Sequence, residues 1–166
     1  MNIRRSRNED FDSLLDLYRR VSRTPGGLAR LEEEIDEVYV GNFLSKSISR
    51  GLGFVAELPD HTIIGEIHAY PPELFCFSHV LSELTIAVDP MHQISGVGRK
   101  IFERLMLEVE SDAAFARVEL IARESNQRAI SFYETLGFVR EGEFKNRIRN
   151  TDGTLESDVP MAWIRT

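Results

Sequence analysis

Apolar residues recur at helical spacing in four stretches of the chain, and each stretch predicts an amphipathic helix. Helices are expected at residues 9–23, 28–40, 97–111 and 126–136. Asn8 and Asn126 stand where a side chain would cap the first and the last of them. Gly137 follows the last helix, where a left-handed glycine commonly ends one.

Stretches rich in β-branched residues predict the strands. Strands are expected at residues 53–58, 62–70, 79–88 and 117–122, after a short first strand in "NIRRS" and before late strands in "FVREGEF" and "DVPMAWI", which the turn "NTDG" separates. The strand at 117–122 returns after a helix, which predicts a parallel crossover. The pattern therefore predicts a mixed α/β fold with a mostly antiparallel central sheet flanked by helices, as one domain over residues 1–166.

Composition narrows the class of partner. The chain has 166 residues, 42% of them hydrophobic, and a formal net charge of −7. Binding of nucleic acid requires clustered Lys and Arg, so we expect no nucleic-acid partner. An acidic protein suits a cationic small substrate better. The single cysteine, Cys76, lies among aromatic residues and is expected to be a buried, inert thiol.

Targeting signals are not apparent in the sequence. The first residues, "MNIRRSRNEDF", lack the apolar core of a signal peptide, and no apolar run approaches the roughly 20 residues of a membrane span. We therefore expect a cytoplasmic protein with no membrane partner. The acidic run 32–37 is expected on the solvated side of the second helix. The segment "RTPGGL" is either a mobile loop over the substrate or an ordinary connection.

The segment "QISGVGRK" (residues 93–100) lies between a β-branched strand and an amphipathic helix. The first amides of a helix have no intrahelical acceptor, and they attract anions. Gly96 and Gly98 remove two side chains where a phosphate would approach most closely. The segment lacks the Gly-Lys-Ser/Thr of a phosphate loop and the third glycine of a dinucleotide fingerprint. Taken alone, it is either a phosphate cradle or a tight turn.

Two segments carry a family resemblance. "VDPMHQISGVGRKIFERL" resembles the Q/R-x-x-G-x-G/A segment of the GCN5-related N-acetyltransferases (the GNAT family), and "ESNQRAISFYETLGF" resembles that family's second signature. Their order and spacing are those of the family. The resemblance covers residues 83–138 firmly and the remainder of the chain only in outline. It implies a sheet that splays between the fourth and fifth strands, with acetyl-CoA as acyl donor in the gap.

The resemblance also implies which residues bind acetyl-CoA. The backbone near Ile86 would pair with the pantetheine arm, the amides from Gln93 to Arg99 would hold the pyrophosphate, and Asn126 would contact the arm. The full implied set is Ile86, Ala87, Val88, Gln93, Ile94, Ser95, Gly96, Val97, Gly98, Arg99 and Asn126. Ile94 departs from the glycine that the family often has at this position, so we expect its side chain to point away from the cofactor.

The resemblance implies two catalytic residues. Tyr133 would protonate the thiolate leaving group, although a helix aromatic packed on the sheet would look the same in sequence. Glu83 would deprotonate the amine, although an alternating strand also solvates every second side chain. Among the histidines only His79 is kept as a reserve base, because a regular strand would put it on the face of Glu83. No residues stand at metal-ligand spacing, so no metal is expected.

The expected function is transfer of an acetyl group from acetyl-CoA to a primary amine of a small molecule, amino acid, polyamine or protein N-terminus, by direct attack. A catalytically silent module that binds acyl-CoA is the main alternative, and a nucleotide-binding domain that uses the same turn is a third. The acceptor amine cannot be named from sequence. The oligomeric state is open from sequence; dimers are usual among proteins that resemble this family, so a homodimer is one assembly to test.

Overall fold

An open, eight-stranded sheet organises the computed structural model, in which residues 1–24, 28–93 and 95–166 are described. The strands are β1 (Asn2–Arg5), β2 (Leu52–Glu57), β3 (Ile63–Tyr70), β4 (Val80–Val88), β5 (Arg117–Arg123), β6 (Val139–Arg140), β7 (Phe144–Arg149) and β8 (Leu155–Ile164). Their order is β1-β2-β3-β4-β5-β8-β6, and β7 also pairs with β8. The pairing of β4 with β5 is parallel, and the other described pairings are antiparallel. The predicted fold class is confirmed.

Helices cover both faces of the sheet. The α-helices of the described residues are α1 (Phe11–Ser22), α2 (Glu37–Arg50), α3 (Val97–Ser111) and α4 (Gln127–Thr135). α1 and α2 bury one face through side chains such as Tyr18 and Phe43. α3 and α4 bury the other through side chains such as Ile101, Phe102 and Ile130. Each helix covers the sheet with the apolar stripe that its sequence periodicity predicts.

The bounds of α3 and the caps of α4 follow the sequence closely. Gly96 has φ +78°, and the Lys100 amide donates the first helical bond of α3 to the Gly96 carbonyl (3.1 Å). The Asn126 Oδ1 accepts from the Ala129 amide (3.2 Å), as expected of a cap. Gly137, with φ +85°, follows α4. Local signals define these ends, which is why sequence predicts them well.

The prediction of a helix at 28–40 is wrong. Residues 32–34 form a single 3₁₀ turn, and α2 begins at Glu37 after the Asp36 carboxylate caps the Tyr39 amide (2.8 Å). Val38, one of the apolar residues at helical spacing in this stretch, is 78% exposed. The acidic run is therefore not a helix face: Glu32 pairs with Arg23. The cap at Asp36 sets the later start, and the buried face of α2 consists of Val40, Phe43, Leu44 and Ser47.

Two further expectations fail at surface positions. Asn8 does not cap α1. Asp10 lies at the start of α1 instead, where its carboxylate accepts hydrogen bonds from the Arg4 guanidinium and the Arg7 amide, each at 2.8 Å.

Cys76 is exposed rather than buried. It lies with Phe75, itself 91% exposed, in a 3₁₀ turn of the connection between β3 and β4. Aromatic neighbours alone did not imply a core position.

A β-bulge interrupts the pairing of β3 with β4. His68 lies opposite Thr85 and Tyr70 opposite Ser82, so one residue of β3 faces two of β4. Glu83 is one of those two and has φ +52°. A left-handed residue of this kind costs roughly 1–2 kcal/mol, and it redirects the strand. The interpretation of this segment as a regular, alternating strand is therefore wrong.

Candidate active site

The strands β4 and β5 pair over two residues and then separate. Val80 lies opposite Arg117 and Leu81 opposite Val118, and among the described strands no ladder joins β4 to β5 beyond that point. β5 remains paired with β8 as far as Arg123. The edge of β4 over residues 82–88 therefore faces a gap, and such an edge can bind an extended ligand as an added strand.

The segment expected to pair with a cofactor arm lies on this open edge. Ile86, Ala87 and Val88 pair with β3 on one side and face the gap on the other. The side chain of Ala87 is fully buried on the sheet face that α1 and α2 cover. The side chains of Ile86 and Val88 point to the opposite face, which α3 covers. The backbone, rather than these side chains, is what the gap offers to a ligand.

The glycine turn leads directly into α3. The positive φ of Gly96 explains that glycine by backbone conformation alone, since a Cβ there would meet nothing within 4 Å. At Gly98 a Cβ would lie 3.4 Å from Val88 Cγ2, an ordinary contact. The amides of Val97 to Arg99 precede the first helical hydrogen bond and are the natural anion donors of α3. Ile94 and residues 25–27 lie outside the described residues, and the expectations about them remain predictions.

A cavity of about 410 Å³, which we name the turn cavity, lies beside this helix start. Seven residues predicted from the sequence as site residues line this cavity: Ile86, Gln93, Gly96, Gly98, Arg99, Asn126 and Tyr133. Ser95 is exposed, and its hydroxyl donates to the His92 carbonyl (2.6 Å). Val97 is buried in the core. Arg99 pairs with Glu103 (3.1 Å) and covers the Phe132 ring, so its charge is partly engaged by the protein itself.

A second cavity, the gap cavity, has a volume of about 590 Å³ and occupies the space between β4 and β5. It shares Ile86, Asn126 and Tyr133 with the turn cavity, so the two form one groove. At its other end it reaches the bulge, where it is lined by Glu83 and Thr85. The groove runs from the start of α3 to the point at which β4 is distorted.

A third cavity, the α2 cavity, has a volume of about 390 Å³ and lies on the α2 side of the sheet. It shares Arg30, Tyr39, Glu83 and Thr85 with the gap cavity. The other lining residues include the aromatic or charged side chains of Phe43, Lys46, Arg50, His68, Tyr70 and Glu73. The two cavities meet at the bulge, so a ligand in each would bring its end to the same place.

Tyr133 lies where the turn and gap cavities join. Its ring packs against Phe102 (5.4 Å between ring centroids) and Phe138 (6.1 Å), which fixes its position on α4. Burial raises the pKa of Tyr133 to about 12, so its hydroxyl keeps its proton at neutral pH. A protonated, partly desolvated phenol beside the groove is suited to donate a proton. The side chain of Tyr133 packs on the core and also lines the groove, and its role as the acid remains a prediction.

Glu83 lies at the bulge and lines both the gap and the α2 cavities. Its side chain is exposed. Burial raises the pKa of Tyr70, and the nearby charge of Glu83 raises it further. His79, the reserve base, does not share this position. It is exposed, precedes β4 and is separated from Glu83 by a strand that is not regular. Its expected role is therefore unsupported.

Sequence reasoning missed a buried polar cluster. His68, which lines the α2 cavity, is 2% exposed, and Glu66 and Tyr18 behind it are 0% exposed. The signal was present in "TIIGEIHAY": Glu66, His68 and Tyr70 occupy alternate positions of an otherwise apolar strand, so they share one face. In the described part of the chain, no group of three or more Cys, His, Asp or Glu residues could hold a metal ion. Nor is any helix there long and apolar enough to cross a membrane.

Comparison with known proteins identifies the family. The profile of the Acetyltransferase (GNAT) family matches residues 11–138, which is most of the chain. The chain belongs to the GNAT family. The resemblance noted from the turn and from the α4 signature is thereby confirmed, and the open gap between β4 and β5 is a feature of a GNAT fold.

The relatives of this GNAT chain include enzymes that act on a protein. The ribosomal protein bS18-alanine N-acetyltransferase of Escherichia coli K12 is 43% identical over 77 residues, or 45% of this chain and 51% of that enzyme. The chain thus spans about half the length of the curated relatives it matches. The solved ribosomal-protein-S18-alanine N-acetyltransferase from Escherichia coli has a TM-score of 0.77 and 26% identity, over 99% of this chain and 94% of that one.

One solved structure of similar fold contains acetyl-CoA. A GNAT superfamily phosphinothricin acetyltransferase from Sinorhizobium meliloti in complex with acetyl-CoA has a TM-score of 0.84 over 99% of this chain and 88% of that one. Its identity is 16%, so the likeness concerns the fold.

Proposed function

We propose that this GNAT-family chain is an acetyl-CoA-dependent N-acetyltransferase that acetylates a primary amine by direct attack. The observation that carries the proposal is the continuous groove. The turn cavity, the gap cavity and the α2 cavity join in that order, and the last two meet at the bulge. A long donor would enter from the start of α3, and an amine from the opposite side, so the two substrates would meet at Glu83 and Thr85.

The chain's own groups fit acetyl-CoA, which supplies an activated acetyl thioester. The amides of Val97, Gly98 and Arg99, which precede the first helical hydrogen bond of α3, suit the pyrophosphate. The open edge of β4 suits the pantetheine arm, whose amides would continue the strand pairing of residues 86–88. Asn126, whose Oδ1 caps α4, keeps its NH₂ group to donate to the arm.

Three groups would share the chemistry. A backbone amide of the open β4 edge, where the groove reaches the bulge, would polarise the thioester carbonyl. Tyr133 would give its proton to the departing thiolate, and the raised pKa of Tyr133 keeps that proton available. The amine must lose a proton before it attacks, because an alkylammonium has a pKa near 10.4. Glu83 and His68 are the two candidates to accept it, since both line the α2 cavity.

Support for the class of acceptor comes from the relatives of the chain and not from a particular residue of the α2 cavity. Enzymes named for the alanine of ribosomal protein bS18 share 43% identity over part of the chain, which favours the N-terminal amine of a protein as the first acceptor to test. Small-molecule amines, amino acids and polyamines also fall within the proposal. No metal and no nucleic acid take part in it.

Release of free thiol from acetyl-CoA, measured across a panel of amines, tests this function. The panel should contain a peptide with an N-terminal alanine, the same peptide with a blocked N-terminus, free amino acids and a polyamine. We expect thiol release with at least one free amine and none with the blocked peptide. Tight acetyl-CoA binding without release on any amine would instead support a catalytically silent acyl-CoA-binding module.

A further inference from the structure

A charged cluster is buried behind the α2 cavity. The Tyr18 hydroxyl on α1 donates to the Glu66 Oε2 (2.5 Å), and the same oxygen lies 3.1 Å from the His68 Nδ1. The Tyr18 oxygen is also 3.3 Å from that nitrogen. Ionised groups are expensive to bury unless they are partnered, so this Glu66 carboxylate depends on its two donors. Burial, followed by the charge of Glu66, raises the pKa of Tyr18 well above its ordinary value.

These contacts determine which ring nitrogen of His68 is free. The hydrogen of Tyr18 goes to Glu66, so the short contact between Nδ1 and the carboxylate is best satisfied by an Nδ1–H that donates to it. The tautomer then carries its lone pair on Nε2. Since Nδ1 is engaged inside the protein, Nε2 is the nitrogen available to the cavity that His68 lines.

Aromatic packing holds the imidazole in one orientation. The Phe43 ring stacks on it with centroids 4.1 Å apart and planes 10° apart. Tyr70 lies on the same face of β3 at 6.0 Å, also nearly parallel. The ring is therefore fixed by contacts from α1, α2 and β3 before any ligand binds, which is the condition for efficient proton transfer.

The position of His68 matches the junction of the two substrate cavities. His68 pairs with Thr85 in the ladder between β3 and β4, and Thr85 lines both the gap cavity and the α2 cavity. Glu83, at the bulge, precedes Thr85 by two residues. Titratable and charged groups from the surrounding elements also face this region: Tyr18, Arg30, Tyr39, Lys46, Arg50, Glu66, Tyr70, Glu73 and Glu83. Glu73 lies 3.5 Å from Lys46 and 3.6 Å from Arg50, which offsets part of the positive charge.

We propose that His68 is the catalytic base that deprotonates the acceptor amine, with Glu66 and Tyr18 as positioning residues. The inference rests on the proposed function. The ammonium N–H bond breaks, and its proton passes to Nε2 while the Glu66 carboxylate stabilises the imidazolium; that proton then leaves through the cavity mouth. When the C–N bond forms and the C–S bond breaks, the nitrogen releases a second proton, which balances the one that Tyr133 gives to the thiolate.

Geometry favours His68 over Glu83 as the base, because the imidazole is held in one orientation by Phe43 and Glu66. Glu83 is exposed at the bulge, whereas His68 is fixed and desolvated. The assignment to His68 replaces the earlier expectation for His79 and makes Glu83 a neighbour of the acceptor rather than its base.

The test is the pH profile of kcat/KM with the best amine of the panel, measured between pH 6 and pH 10. His68→Gln should lower kcat/KM about 100-fold or more at pH 7, the usual scale for loss of a general base. The deficit should shrink at least tenfold towards pH 10, where free amine becomes abundant. His79→Gln, a matched substitution outside the cavities, should follow the wild type. Glu66→Gln should lower kcat/KM at pH 7 with a deficit that also shrinks towards pH 10, because the Nδ1–H of His68 loses the carboxylate that holds the reactive tautomer.

Two results would overturn the inference. One is a deficit in His68→Gln that stays constant with pH, which indicates a structural network only. The other comes from Glu83→Gln, an exposed position that should fold normally: a deficit of about 100-fold at pH 7 that shrinks towards pH 10 in that variant would make Glu83 the base. These results leave amine acetylation by the wild type intact. Absence of thiol release by the wild type with every amine would overturn the proposed function, and this inference with it.

Discussion

Alanine substitutions at Gly96 and Gly98 separate the two physical roles of the glycine turn. At Gly96 the backbone has φ +78°, and a Cβ would meet no atom within 4 Å. The cost of Gly96→Ala is therefore backbone strain alone, roughly 1–2 kcal/mol. For a chain of this size, about 1 kcal/mol lowers the melting temperature by about 2–4 °C, so we expect a decrease of about 2–8 °C in the free protein.

Gly98→Ala should show the opposite behaviour. The new Cβ would make an ordinary contact at 3.4 Å with Val88, and alanine favours the helix, so the melting temperature should hold or rise. The methyl group would, however, project where Gly98 lines the turn cavity. Loss of one hydrogen bond to a charged phosphate costs about 1.5–3 kcal/mol, which corresponds to an acetyl-CoA Kd about 10-fold to 150-fold weaker.

The two variants are compared by thermal unfolding without ligand and by calorimetric titration with acetyl-CoA. Lys100→Ala, at an exposed position of the same helix turn, is the matched control for the loss of a nearby charge. The reasoning is refuted if Gly98→Ala binds acetyl-CoA like the wild type. In that case the glycine serves only the packing of α3 on β4, and the anion does not approach it.

Three further predictions follow from other contacts. Tyr133→Phe should lower kcat about 10²–10⁴-fold and leave the acetyl-CoA Kd within a few-fold, as steady-state kinetics and titration would measure; unchanged kcat would remove Tyr133 from the mechanism. Because the folded-state pKa of Tyr133 is raised to about 12, its hydroxyl keeps its proton well past the ordinary pKa of about 10. The kcat profile should therefore show no basic limb from this group below about pH 10, and one at lower pH would contradict the assignment. Asp36→Ala should destabilise the protein by about 1 kcal/mol in urea unfolding, through loss of the cap to the Tyr39 amide; an equal loss in the control Glu37→Ala would argue against capping.

Local signals explain what could be predicted from the sequence. The bounds of α3 and the caps of α4 depend on residues within one turn of each helix end, so the chain itself carries the information. The helix proposed at 28–40 failed for a local reason as well. The bond from the Tyr39 amide to Asp36 starts α2 at Glu37, so the apolar residues before Asp36 lie outside the helix.

Long-range contacts explain what could not be predicted. The bulge at Glu83 exists only in register with β3, and no feature of the strand's own sequence marks it. The burial of His68 depends on Tyr18, which is 50 residues earlier in the chain, and on Phe43 from α2. The cofactor-side residues were predicted by family resemblance. The residues on the amine side converge from separate elements, and only the fold brings them together.

Backbone amide hydrogen exchange with and without acetyl-CoA tests the central claim, that the acetyl donor lies in the gap between β4 and β5. The account predicts that acetyl-CoA slows exchange both at residues 96–99 and along the open edge of β4 at residues 82–88, whereas ATP does not protect β4. Protection confined to the turn, or equal protection by ATP, would contradict the account and favour a nucleotide site.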